Sequence, residues 1–140
     1  MLVTPLTRRS FKNGSLQDDL AAWAEVTKRV AAEMHVPLVD LYATSVAAVQ
    51  AIGPGAALDL AETPPPPEVS TAAETGTTIA APATPKPAPL ATEVAETPQG
   101  RPTVVFDYTH LGPGGAAVFS RQVAFELARA VPDLRPMLVP

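Results

Sequence analysis

The sequence predicts an α/β domain with parallel strands, interrupted by a segment that has no fold of its own. Two observations support this. Short apolar runs alternate with amphipathic helical patterns, which favours strands joined through helices. Between 63 and 102 the composition shifts to Pro, Thr, Ala and Glu with few large apolar residues, which is typical of a disordered segment. We therefore expect one domain formed by 1–62 and 103–140, with a low-complexity insert at 63–102.

The first part of the chain is predicted to run strand, helix, strand, helix. Leu2 and Val3 have the character of the end of a buried strand. The helix that follows spans about 16–34, with Ser15 as its N-cap. Its core-facing stripe recurs at steps of three and four and comprises Leu20, Trp23, Thr27, Val30 and Met34. Val36–Leu41 is a short apolar run typical of a strand covered on both faces. A strand that follows a helix across a short junction predicts a parallel βαβ unit.

Two further helices are predicted. One fits Thr44–Ile52 and is ended by Gly53 and Pro54. After the insert, order resumes at Val104–Phe106. Pro113 suits the first turn of a final helix. That helix is expected to continue to about residue 130, with a packed face comprising Ala116, Phe119, Val123 and Leu127.

The composition argues against several kinds of function. A net charge of −4 disfavours nucleic acid as a partner, because phosphate binding needs a concentrated basic surface. The absence of cysteine removes disulfides, thiolate metal sites and cysteine catalysis. Two histidines and scattered carboxylates do not suggest a metal site, so no metal or cofactor is expected. No apolar run approaches the roughly 20 residues of a membrane span, and the N-terminus lacks a signal-peptide pattern. We therefore predict no membrane partner, and the cellular location stays open.

The candidate chemistry lies where Asp107 and His110 stand three residues apart, on a turn that opens a helix. At this spacing a carboxylate and an imidazole can meet side chain to side chain. The acid can then hold one ring nitrogen while the other faces a cleft, which is the base half of a nucleophilic triad. The alternative is that Asp107 caps a helix and His110 is a surface residue. Glycines at 112, 114 and 115 would keep the turn slim and let backbone or substrate come close.

Other polar residues have weaker claims on function. Arg8 and Arg9 are expected to be exposed on a loop, where they are weak candidates to bind an acidic sugar by bidentate hydrogen bonds. A solvated pair is the alternative. Asp40 ends a strand, and capping or loop bonding is favoured there over catalysis. His35 lies at a helix C-terminus and is assigned no catalytic role. None of the serines has a Gly-Asp-Ser or Gly-x-Ser-x-Gly setting: Ser10, Ser15, Ser45, Ser70 and Ser120.

The turn also resembles a known family. Asp107–Leu111, followed by Gly-Pro-Gly-Gly-Ala and an Ala/Phe-rich helix, resembles the last conserved block of the SGNH hydrolases, also called GDSL esterases. The loop Thr4–Phe11, the long helix and the run Val36–Leu41 are similar to the rhamnogalacturonan acetylesterase branch of that family. The resemblance covers about 1–60 and 103–132.

This resemblance implies a partial three-layer α/β/α fold that hydrolyses esters, especially acetyl groups on pectic sugars, in a family whose members are often extracellular. It implies that His110 is the general base and that Asp107 orients it. The family's Gly-Asp-Ser, glycine and asparagine blocks are missing, so the resemblance implies the C-terminal half of an esterase, inactive alone. Its partners would be the missing N-terminal half and an acetylated polysaccharide or small ester. The alternative function is a non-catalytic interaction module with a proline-rich tether at Pro64–Pro67 and Thr84–Pro87.

Overall fold

The computed structural model describes residues 1–17, 19–78 and 106–138. They form a mixed α/β fold that is mostly helical, with 57% helix and 9% strand, so the predicted α/β class is confirmed. The strands are β1 (Leu2–Val3), β2 (Phe11–Lys12), β3 (Ser15–Leu16) and β4 (Leu38–Val39). The helices are α1 (Ala21–Glu33), α2 (Leu41–Leu58), α3 (Pro67–Glu74), α4 (Pro113–Ala130) and a 3-10 helix (Pro132–Met137).

The predicted parallel βαβ unit is confirmed. β1 and β4 are hydrogen-bonded neighbours, with Leu2 beside Leu38 and Val3 beside Val39. The helix α1 joins them and packs against β1. Beyond the strand pair, the N–H of Thr4 donates to the carbonyl of Val39 at 3.0 Å. Each strand is two residues long, and β4 is followed at once by Asp40 and the first residue of α2.

The start of the first helix differs from the prediction. Ser15 is not its N-cap, because Ser15 and Leu16 form β3, which pairs antiparallel with β2 across the Asn13–Gly14 turn. The two residues of that turn both have positive φ angles, the conformation that tight hairpin turns need. The helix therefore begins at Ala21, several residues later than expected.

The buried face of α1 also differs from the prediction. Trp23 is 67% exposed and Met34 is 62% exposed, so their expected place in the core is wrong. The buried residues are Ala24 and Ala31. Ala24 and Ala31 are seven residues apart and so share one face of the helix, and this face lies one position beyond Trp23 of the predicted stripe.

The helix α2 begins at a capped residue and is broken near its middle. Oδ1 of Asp40 accepts from the N–H of Ala43 at 3.3 Å, so the predicted capping role is confirmed. The backbone leaves the helix at Gly53, with φ 78° and ψ 173°. This confirms the predicted stop, but a new helical segment starts at Pro54 and runs to Leu58. By length and composition α2 could cross a membrane, contrary to the prediction. It is broken at Gly53, contacts α3 and α4, and is 33% buried within the fold.

The first part of the predicted disordered segment is folded. Pro67 opens α3, and Val69 and Ala73 are buried against Leu58 and Phe106. The prediction of disorder is therefore wrong for 63–78. Composition misses this helix because two apolar residues four positions apart suffice once the rest of the chain offers a surface to cover. The remainder of the predicted insert, 79–102, and the first residues of the predicted strand at 104–106 lie outside the described residues.

Two apolar clusters form the core, and α4 is anchored in the first. That cluster comprises Phe11, Val49, Ala57 and Phe119. The second comprises Leu58, Val69, Ala73 and Phe106. Pro113 opens α4 as predicted. On the predicted packed face of α4 only Phe119 is buried, while Val123 and Leu127 are half-buried and Ala116 is exposed.

Candidate functional site

Asp107 and His110 meet side chain to side chain. Oδ2 of Asp107 lies 2.5 Å from Nδ1 of His110, so the predicted contact is confirmed. The other oxygen, Oδ1, accepts from the backbone N–H groups of Thr109 at 2.7 Å and of His110 at 3.0 Å. The turn thus holds the carboxylate while the carboxylate holds the ring.

The imidazole of His110 is open to solvent rather than sealed in the core. Its side chain is 73% exposed. Since Nδ1 is engaged by Asp107, Nε2 is the ring nitrogen left for proton transfer. The exposure also agrees with the alternative of a surface histidine. His110 differs from an ordinary surface histidine because its ring is hydrogen-bonded to the carboxylate of Asp107.

Each member of the pair favours the charged form of the other. The hydrogen bond from His110, with the two backbone N–H groups, lowers the pKa of Asp107 from 3.8 to about 2. The hydrogen bond to Asp107 raises the pKa of His110 above 6.5, and the charge of Glu62 adds to this while that of Arg9 opposes it. The pair therefore stabilises the imidazolium, which is the species that forms when a general base takes up a proton.

Arg9 lies beneath the turn and is 1% exposed. Its backbone N–H donates to the carbonyl of Tyr108 at 3.0 Å. Nη1 and Nη2 of its guanidinium donate to the carbonyls of Thr109 at 3.1 Å and His110 at 2.8 Å. Burial lowers the pKa of Arg9, and the charge of Asp107 offsets part of this. The expectation of a solvated Arg9 is wrong. Nη1 and Nη2 are bonded to backbone carbonyls, and Nε is buried without a hydrogen-bond partner in the part of the chain that the structure describes.

Arg8 has the opposite surroundings. Its Nη1 lies 2.6 Å from Oδ2 of Asp19, and both side chains are more than a third exposed. Arg8 also borders a cleft of about 470 Å³ beside the turn. The cleft is lined by Arg8, Ser10, Asp19, Phe106, Asp107, Tyr108 and Thr109. The acid of the pair, rather than the base, thus faces this cleft, and Arg8 remains a weak candidate for substrate binding.

The far side of the turn is fixed by the segment after α2. Leu111 pairs with Ala61 in an antiparallel bridge. The N–H of Gly112 donates to the carbonyl of Leu60 at 3.0 Å. The turn is therefore held from two sides, by Arg9 and by this segment.

Two glycines allow that close approach. A Cβ added to Gly112 would lie 2.5 Å from the carbonyl oxygen of Ala61, and one added to Gly115 would overlap the carbonyl of Leu60. The prediction that backbone comes close here is confirmed for these two positions. At Gly114, by contrast, a Cβ would meet nothing within 4 Å.

No serine hydroxyl is hydrogen-bonded to His110 in the part of the chain that the structure describes. Ser45 is buried, where its Oγ accepts from the N–H of Thr7 and donates to the carbonyl of Tyr42. Ser10 borders the cleft with Asp107 but is not bonded to the pair. The described residues also hold no group of three or more side chains that could bind a metal ion.

The role of Arg9 and the charged network at Asp40 were not predicted from the sequence. Besides capping α2, Asp40 lies 3.0 Å from Nζ of Lys28 and accepts from Oγ1 of Thr4 at 3.1 Å. Partial burial raises the pKa of Asp40, but these hydrogen bonds and that from Ala43 outweigh it and lower the pKa. A doubled arginine carries no local signal of which member will be buried, so Arg9 could not have been singled out.

Comparisons with known proteins assign no family to this chain. No protein-family model matches it, and neither a curated protein nor a solved structure matches it significantly. What the fold and the site define is a mixed α/β chain with an Asp–His pair on an exposed turn.

Proposed function

We propose that this chain supplies the acid and the base of a serine-esterase triad. The observation that carries the proposal is the 2.5 Å contact between Oδ2 of Asp107 and Nδ1 of His110, on a ring that solvent reaches. His110 takes the proton of a serine hydroxyl as that oxygen attacks the ester carbonyl, and returns it to the leaving alcohol. Asp107 keeps the ring oriented and stabilises its imidazolium form.

The proposed substrates are O-acetyl esters of carbohydrates, of the rhamnogalacturonan acetylesterase type. The resemblance of 4–11 and 36–41 to that branch supports this substrate class, and that of 107–111 to the last block of the SGNH hydrolases supports an esterase. The parallel β1–β4 pair with α1, and the turn placed directly before α4, are compatible with part of a three-layer α/β/α sandwich. Arg8 on the cleft beside Asp107 gives weak support to an acidic sugar.

The nucleophile is proposed to come from another polypeptide segment. This is supported by the absence of a Gly-Asp-Ser motif and by the described serines, none of which bonds to His110. Without a nucleophile, and without the family's glycine and asparagine blocks that form the oxyanion hole, little rate acceleration remains. The chain alone is therefore expected to be inactive toward esters.

A non-catalytic module with a proline-rich tether is the alternative. Pro67 is the first residue of α3, so the first of the two proline-rich features is part of the fold. The second, Thr84–Pro87, lies outside the described residues. No specific observation favours this alternative over the triad.

A fusion protein tests the proposal. The N-terminal half of a rhamnogalacturonan acetylesterase, which carries the serine, glycine and asparagine blocks, is joined to Met1. Hydrolysis of p-nitrophenyl acetate and acetate release from acetylated rhamnogalacturonan are then measured. We expect activity in the fusion and none in the chain alone. His110→Asn should lower kcat by about 10³-fold or more.

His35→Asn is the matched control for the fusion. His35 has a positive φ of 51°, which asparagine tolerates, so this variant should keep full activity. A folded fusion without activity, or one indifferent to His110→Asn, contradicts the proposal. Turnover by the chain alone that depends on His110 would show that the nucleophile lies within this chain.

A further inference from the structure

Arg9 occupies an unusual place for a charged side chain. It is 1% exposed, and in the described part of the chain it forms no ion pair with a carboxylate. Removing a guanidinium from water is costly unless hydrogen bonds replace the lost solvent. For Nη1 and Nη2 the groups that replace the solvent are backbone carbonyls of the candidate site, whereas Nε is buried without a hydrogen-bond partner among the described residues. The side-chain hydrogen bonds of the buried Arg9 therefore all go to this one turn.

The guanidinium fits its two carbonyl partners as a fork. Nη1 reaches Thr109 and Nη2 reaches His110, at 3.1 and 2.8 Å. A planar guanidinium holds its donors in fixed relative positions, which the single ammonium of lysine cannot do. Arg9 thus sets the orientation of two successive peptide groups. The carbonyl of His110 is also approached by the N–H of Glu62 at 3.3 Å, so it is held between two donors.

Those peptide groups belong to the residues that build the Asp–His contact. The N–H groups of Thr109 and His110 donate to Oδ1 of Asp107, and the ring of His110 bonds to its Oδ2. The carbonyl of Thr109 shares a peptide plane with the N–H of His110, so if that carbonyl turned, this N–H would turn with it and the carboxylate would lose one of its donors. The N–H of Thr109 shares its plane with the carbonyl of Tyr108, which accepts from the backbone N–H of Arg9. The contact of Asp107 with the ring therefore depends on a backbone that Arg9 holds from below.

We propose that Arg9 is a positioning residue for the Asp107–His110 pair, acting by fixing the carbonyls of Thr109 and His110. The importance of this role for catalysis rests on the proposed function, but the role itself is a property of the isolated chain. It can be measured without a nucleophile.

The direction in which the pKa of His110 changes when Arg9 is replaced distinguishes a positioning role from a simple charge effect. The charged groups that act on His110 are Asp107 and Glu62, which raise its pKa, and Arg9, which lowers it. If Arg9 acted only through its charge, removing that charge would raise the pKa of His110 further. If Arg9 positions the turn, its loss weakens the contact with Asp107 and the pKa of His110 falls toward 6.5.

The test is an NMR titration of the His110 ring in the intact chain, with amide hydrogen exchange at Thr109 and His110. Arg9→Lys keeps the charge but loses the fork, and Arg9→Met removes the charge. For both variants we expect a lower pKa of His110 and about tenfold faster exchange at the two amides. The matched control, Arg8→Met on the neighbouring exposed arginine, should change neither quantity.

An unchanged or raised pKa of His110 in Arg9→Lys overturns the proposal, as does unchanged amide exchange. Should Arg9→Met not fold, Arg9→Lys decides. If circular dichroism shows that Arg9→Lys is unfolded too, Arg9 is required for the whole fold, and the specific positioning role is rejected. Neither measurement uses esterase activity. An inactive fusion with a normal Arg9 response would therefore refute the proposed function and leave this inference standing.

Discussion

The turn at 107–110 and the segment 63–78 lie next to each other in the fold, although the sequence leads to opposite predictions for them. The sequence selects the turn at 107–110 for chemistry and predicts that 63–78 is disordered. In the structure, Val69 and Ala73 of α3 pack against Phe106, which directly precedes the turn. The turn is built from contacts between residues two or three apart, which spacing reveals. The folded state of 63–78 depends on residues far along the chain, and these leave no local signal.

The largest loss of stability is expected from a substitution in α3, the helix that the sequence does not predict. Val69 is 1% exposed, so Val69→Asp buries an unpaired charge and should lower the free energy of unfolding by about 3 kcal/mol or more. The matched control is Thr71→Asp, at an exposed position of the same helix, which should change it by less than about 0.5 kcal/mol. Urea unfolding followed by circular dichroism measures both. Equal effects would show that α3 does not support the core.

A smaller loss of stability is expected from a substitution at Gly115, where the start of α4 lies close to the segment after α2. Gly115→Ala places a Cβ against the carbonyl of Leu60, and overpacking against backbone should cost about 1–3 kcal/mol. Gly114→Ala, in the same helical turn, meets open space. It should be neutral or stabilising by up to about 1 kcal/mol. Thermal unfolding compares the two, and a Gly115→Ala variant as stable as Gly114→Ala contradicts the close approach.

A pH-dependent effect follows from the Asp–His contact. The lowered pKa of Asp107 contributes stability that is present above 3.8 and lost as the pH falls toward about 2. The raised pKa of His110 contributes stability that is present below 6.5 and lost as the pH rises through the raised value. Both contributions to stability are present between pH 3.8 and pH 6.5. The effect should be modest, because water screens exposed groups.

Asp107→Asn checks this window. Urea unfolding of the variant and the natural chain across the pH range should give the largest stability difference between 3.8 and 6.5 and a smaller one on either side. The pKa of His110 should fall in the variant. A stability difference that does not fall as the pH rises through the raised pKa of His110 would mean that Asp107 acts only through its backbone hydrogen bonds.

The smallest effect concerns the helix face that the sequence misjudges. Trp23 is 67% exposed, so Trp23→Ala should change the free energy of unfolding by no more than about 0.5 kcal/mol. Phe119 is 4% exposed, and Phe119→Ala should cost about 3–5 kcal/mol. Chemical unfolding of both variants tests which aromatic residue belongs to the core. A large cost at Trp23 would restore the stripe that the sequence predicts.

Local patterns account for what could be predicted. Pro113 marks the start of α4, Gly53 marks the break in α2, and Asp40 caps α2, because each acts on its own stretch of backbone. The parallel pairing of β1 with β4 follows from the order strand, helix, strand. These features need no knowledge of distant residues.

Tertiary contacts account for the remainder. Arg8 and Arg9 are identical in type and adjacent, yet one pairs with Asp19 at the surface and the other is buried under the turn. Likewise, Ala24 is buried and Trp23 is exposed, although the two are neighbours on the same helix. Burial of this kind is decided by the shape of the surface that each residue meets.

The position of the proton on the neutral His110 ring shows directly whether Asp107 orients this residue as a base. If Oδ2 of Asp107 accepts a hydrogen bond from Nδ1, neutral His110 carries its proton on Nδ1 and leaves Nε2 free to act as a base. Long-range ¹H–¹⁵N NMR spectra recorded above the pKa of His110 identify the tautomer. We expect the Nδ1–H form in the natural chain and its loss in Asp107→Asn. A neutral ring protonated on Nε2 in the natural chain would contradict it.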